Sequence, residues 1–233
     1  MRLYKSVLLV ALPLAGCQSA PPPSAMPVRD FRIQDVAKGD IDMVAEITVR
    51  QHRRYLRELA DKLYRRNPDQ LRRGLGERAR SVEAVLGDPP RRLLAQWGSR
   101  RGSDLIVLAL APDFEGDRVA AFVYGLRNMA IAAYGGEGDF YLPHSYDPQK
   151  LYFLARNIEI AAWRLRATRS ATGRPLLLSG GTAPDGTFNT SFERLFGKLV
   201  ALHDQFALVV AEASNRRIKN VIQGVASAVF FPL

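Results

Sequence analysis

Three Asx-Pro pairs, Asn67-Pro68, Asp88-Pro89 and Asp147-Pro148, divide this chain into segments that each carry apolar residues at helical spacing. Proline has no N–H to lose at the first helical position, and a preceding Asn or Asp can accept from the exposed amides there. Each pair therefore predicts a helix start. Between Ile41 and Arg66, Val44, Tyr55, Leu56, Leu59 and Leu63 fall on one side at 100° per residue, while Arg50, Arg53, Arg54, Arg57 and Arg65 fall on the other. His52 projects onto the apolar side, where a packed core histidine is expected.

The same reading predicts a second helix from Asn67-Pro68 to about Leu86 and a third from Asp88-Pro89-Pro90 through Leu93, Leu94 and Trp97. Residues 103–136 are strongly apolar but interrupted by Asp113, Glu115, Asp117, Arg118 and Arg127. They predict two buried helices broken near Pro112, with a strand over Leu105 to Leu110 as the alternative. A helix from Asp147 to Arg169 is apolar nearly all round and is expected to be central, with Glu159 partly buried against Arg127 or Arg166. Thr190-x-x-Glu193 has the form of a capping box ahead of a stripe through Phe192, Leu195, Phe196, Leu199, His203, Phe206 and Val210, with a bend expected near Ser214-Asn215. The apolar end, residues 221–233, is expected to dock on the body. The sum is an all-α fold: a single compact bundle of six or seven helices over residues 34–233.

The first 33 residues follow different rules. Arg2 and Lys5 precede an apolar run from Val7 to Leu14, then small residues and the chain's single cysteine, Cys17. Residues 1–16 thus read as a secretory signal peptide, too short to span a bilayer. Leu14-Ala15-Gly16-Cys17 resembles the lipobox of bacterial lipoproteins. That resemblance implies cleavage before Cys17, acylation of Cys17 by palmitate-like chains, and a durable membrane anchor. Gln18, where an Asp would favour inner-membrane retention, implies the periplasmic face of the outer membrane. Residues 17–33, rich in proline, read as a lipidated and extended tether. Further along, "NIEIAAWRLRATR" and "SFERLFGKLVALHDQF" resemble uncharacterised proteobacterial lipoproteins, a resemblance that implies no activity.

Charge points to the partner class. Of the formal net charge of +10, nearly all sits between Arg50 and Arg101, where 15 Lys and Arg face six Asp and Glu. In an exported, membrane-anchored chain this favours anionic lipid, lipopolysaccharide, a wall polymer or an acidic protein partner, and excludes nucleic acid as the expected one. Arg50, Arg53, Arg54 and Arg57 are the candidate partner-binding residues, since guanidinium groups take phosphate and carboxylate bidentately. A solvated basic face with no partner is the plainer alternative.

No P-loop, dinucleotide fingerprint, nucleophile elbow or zinc-protease motif is present, so no cofactor and no metal are expected. The loop "GGEGDFYLPHSYD" offers Asp139 and His144 as catalytic candidates for a cell-envelope hydrolase or wall-modifying enzyme. A non-enzymatic envelope binding or scaffold module is the leading expectation.

Overall fold

A computed structural model describes residues 40–136, 146–181, 186, 188–214 and 229–233. Cys17 and the tether, and Asp139 and His144, lie outside the described residues. Lys38–Leu233 forms one compact unit. The described residues contain eight helices, α1 Asp40–Arg66, α2 Asp69–Arg73, α3 Arg78–Leu86, α4 Arg91–Trp97, α5 Gly102–Ala109, α6 Arg118–Ala133, α7 Pro148–Ala167 and α8 Ser191–Ser214, and an isolated β-bridge joins Arg169 to Pro175. The all-α expectation holds, and Leu105 to Leu110 lie in and just after α5 rather than in a strand.

Helix α6 is the central element. Only Tyr124, Asn128 and Ala132 of its 16 residues escape full burial, and α1, α3, α5 and α7 all pack on it. This corrects the expectation for α7, which pairs mainly with α8 and leaves Trp163 40% exposed. Close approach of α5 and α6 depends on Gly125, where a Cβ would lie 2.8 Å from both the Gly102 carbonyl and Ile106 Cγ1. The break near Pro112 is held by Arg118, whose buried guanidinium donates to the carbonyls of Ala109, Ala111 and Pro112 at the end of α5. A side chain thus satisfies carbonyls that the helix itself cannot.

The stripe of α1 also shifts from the expected one. Ala45, Val49, His52, Leu56, Leu59 and Leu63 are buried, whereas Val44 is largely exposed. Residues 67–86 form two helices instead of one, because Gly74 and Gly76 interrupt them. Gly76 takes a positive φ of 82°, and a Cβ on Gly74 would stand 2.1 Å from Asp117 Oδ2.

Asp147 accepts from Gln149 N and caps α7, as its pairing with Pro148 predicts. Asn67 caps nothing. Its side-chain amide donates to Leu178 O and accepts from Leu178 N, so it grips an irregular segment from both sides. Asn157 on α7 holds Phe231 in the same way, at 2.9 Å and 2.7 Å. With Phe230 and Leu233 packed on the core and Phe231 stacked on Phe153, residues 229–233 dock on the body as expected.

Candidate anionic-surface interface

Helices α1 to α4 and the turn after them carry the basic block, and packing decides which way its charges face. Because the apolar stripe of α1 is used against α3, α6 and α8, its arginines have only solvent to enter. All 14 arginines between Arg50 and Arg101 are exposed. Four of the block's six carboxylates neutralise part of this surface. Glu58 pairs with Lys62, Asp61 with Arg65 and Arg78, Asp69 with Arg72, and Glu83 with Arg57.

The four arginines singled out from sequence are therefore unequal. Arg57 reaches across to α3 and donates from both terminal nitrogens to the Glu83 carboxylate. That hydrogen bonding raises the Arg57 pKa and lowers that of Glu83. Arg53 donates at 3.4 Å to the carbonyl of Leu86, the last residue of α3, where the helix dipole favours a cation. Among the described residues, Arg50 and Arg54 meet no carboxylate at ion-pair distance, and neither do Arg80, Arg91 and Arg92. Sequence reading counted these last three in the charge but gave them no role. Their signal was available: Arg91 and Arg92 open α4 directly after Pro90, with no acidic residue in that helix.

The chain's strongest internal polar chemistry lies elsewhere and is sealed. His52 on α1 and His203 on α8 are both fully buried, with His52 Nδ1 2.8 Å from His203 Nε2 and Tyr134 Oη 3.3 Å from His203 Nδ1. Burial lowers the His52 pKa from 6.5 to about 3 and pushes His203 well below its ordinary value. Two neutral rings share one proton at 2.8 Å, donor to acceptor, which two imidazolium ions could not do. No substrate reaches this pair, so its role is to join α1, α6 and α8.

Asp117 is the second sealed group. Its carboxylate accepts from Tyr64 Oη and caps α6 through Ala120 N, both at 2.9 Å. Burial raises its pKa from 3.8 to about 6 against the opposing pull of those hydrogen bonds and Arg73. Asp117 is fully buried, whereas Glu159 is not. Glu159 is half exposed and pairs with Arg156. The proposed capping box is also replaced: Asn189 accepts from Ser191 N, while both Glu193 carboxylate oxygens are buried without a hydrogen bond, 3.6 Å from Arg166 Nε at the nearest.

Among the described residues, no group of three His, Cys, Asp or Glu side chains is placed to hold a metal ion, and no helix is long and apolar enough to cross a membrane. Comparison with protein-family models, curated proteins and solved structures returns no match.

Proposed function

We propose that this protein is a lipoprotein anchored through acylated Cys17 at the periplasmic face of the outer membrane, and that its helical body is a non-enzymatic module binding anionic phosphate- or carboxylate-rich surfaces. The observation that carries the reading is the arginine face: 14 exposed arginines, of which only Arg57, Arg65, Arg72 and Arg78 have a carboxylate partner among the described residues. Exposed, unneutralised arginines lose little on meeting a phosphate and gain paired hydrogen bonds. The lipobox reading supplies proximity, since a tether of about 16 residues at about 3.1 Å each keeps the body within about 50 Å of its bilayer.

The test is sedimentation of the Cys17→Ser chain with vesicles containing phosphatidylglycerol, against vesicles of phosphatidylcholine alone. Near an anionic surface each basic residue contributes about 1 kcal/mol, so replacing Arg50, Arg53 and Arg54 with Gln weakens binding about 100-fold, with a shallower salt dependence. Arg57→Gln changes much less, because Glu83 already holds that guanidinium. Equal binding of wild type and triple variant at low salt would reject the assignment.

A further inference from the structure

Arginines are not the only side chains that α1 turns outward. Met43, Val44 and Ile47, in its first turns, are 41%, 36% and 47% exposed. Residues three and four apart adjoin on a helix surface, so the three form one apolar patch rather than scattered contacts. A step of 100° per residue puts Met43, Ile47, Arg50 and Arg54 within about 60° of one another around the helix. Apolar and cationic groups therefore share one outward stripe, apolar first. Folding does not use this patch, because the stripe that α1 packs inward runs through Ala45, Val49, His52 and Leu56.

The nearby acids leave the stripe cationic. Asp42 and Glu46 are half-buried and lie about 100° and 60° around from Met43, on the flank opposite Val44. Both act on the buried Tyr146, whose pKa is pushed up by burial and then by their charges. Asp40 is the first residue of α1, where the helix dipole offsets its charge. Further along, Glu58 faces Lys62, and Asp61 is held by Arg65 and Arg78. Arg50 and Arg54 thus set the charge beside the patch.

Two observations single out a lipid surface. One is charge complementarity ordered by depth: guanidinium groups directly behind an apolar patch match phosphate headgroups above acyl chains. Ile47 and Arg54 are about 10 Å apart along the axis at the rise of an α-helix, close to the roughly 5–10 Å by which an interfacial helix buries its apolar part. The other is where the chain comes from. Helix α1 opens at Asp40, 23 residues beyond Cys17, so the patch is the first folded surface after the proposed anchor.

We infer that the first turns of α1 dip into an anionic phospholipid bilayer, with Met43, Val44 and Ile47 among the upper acyl chains and Arg50 and Arg54 at the phosphates. The inference rests on the lipid-facing role proposed for the arginines. It adds an orientation: the N-terminal end of α1 points at the membrane and its C-terminal end points away.

A single cysteine in the sequence makes the test direct. The Cys17→Ser chain from residue 17 onward lacks the apolar leader and keeps the compact unit that begins at Lys38. In that chain Ile47→Cys carries a nitrobenzoxadiazole label. Leu178→Cys is the control, 42% exposed and held by Asn67 just beyond the far end of α1, about 30 Å along the helix from position 47. Vesicles of phosphatidylglycerol should shift the emission at 47 to the blue, and nitroxide-labelled lipid should quench it. Emission at 178 stays as in buffer, and phosphatidylcholine vesicles change neither. Met43→Ser with Ile47→Ser weakens binding about tenfold, by the same factor at every salt concentration where binding is measurable, because the lost contact is uncharged. Vesicle-bound chain with position 47 unquenched, equal quenching at 47 and 178, quenching on phosphatidylcholine, or unchanged binding of the double serine variant each overturns the insertion. The first and last leave the arginine face standing as a binder of anionic surfaces, acidic proteins included. Absence of phosphatidylglycerol binding by the unlabelled chain overturns both readings.

Discussion

Acidification from pH 7 to pH 5 tests the sealed histidine pair quantitatively. In the unfolded chain both rings titrate near 6.5, whereas in the folded chain burial holds His52 neutral down to about 3 and His203 well below 6.5. The unfolded state therefore binds more protons over this window, and stability falls as pH drops below 6.5. His52 held neutral costs about 2 kcal/mol between pH 7 and pH 5, and His203, also held well below its ordinary value, adds to the loss. Asp117 works in the opposite direction. Its folded pKa of about 6 exceeds the ordinary 3.8, so the native state takes up that proton first. Its protonation returns about 1 kcal/mol over the same interval. The histidines outweigh Asp117, so the net effect is a loss on the order of 1–3 kcal/mol, an appreciable share of the roughly 5–15 kcal/mol typical of a folded domain. Urea unfolding at pH 7, 6 and 5 reads it directly. His203→Gln should reduce the loss, the double variant with His52→Gln should turn it into a gain of about 1 kcal/mol, and Asp117→Asn should enlarge it. A double variant that keeps the wild-type loss would refute the burial argument, whatever its stability at pH 7.

Other perturbations probe the packing. Gly125→Ala forces α5 from α6 and should cost about 1–3 kcal/mol, seen as a lower melting temperature. Gly197→Ala should stabilise α8 by about 1 kcal/mol, since it relieves the backbone entropy of glycine without a clash. Asn157→Leu removes both hydrogen bonds to Phe231 and should abolish hydrogen-exchange protection of its amide, with a loss of about 2 kcal/mol in global stability at most.

Features that depend on neighbours in sequence were readable before the fold was known. Asp147-Pro148 caps α7 because cap and amide are two residues apart. His52 and His203 were both read as core from the stripes of their helices, but their bond spans 151 positions and no periodicity records it. Asn67-Pro68 carries the same local signal as Asp147-Pro148, yet the Asn67 amide is taken by Leu178, 111 residues away. The split between α2 and α3 was hidden for a related reason: Asp117 approaches Gly74 from another part of the chain. Asp117 itself read as an interruption of an apolar run, when it is a cap whose burial the Tyr64 hydroxyl makes tolerable. Arginine exposure was legible from the amphipathic pattern of α1, but the capture of Arg57 by Glu83 required knowing that α3 packs alongside.

The asparagine clips have a consequence for how this chain can diverge. Asn67 and Asn157 hold Leu178 and Phe231 by main-chain groups, which every residue except proline possesses in full. Leu178, 42% exposed, contributes no side-chain hydrogen bond to its own attachment. The gripped positions are thus nearly free to vary, while the gripping ones admit neither Asp, which lacks the donor, nor Leu, which lacks both. In a fold whose described residues contain no sheet, two carboxamides do the work of an edge strand, and substitution tolerance should be read from the grip rather than from what it holds.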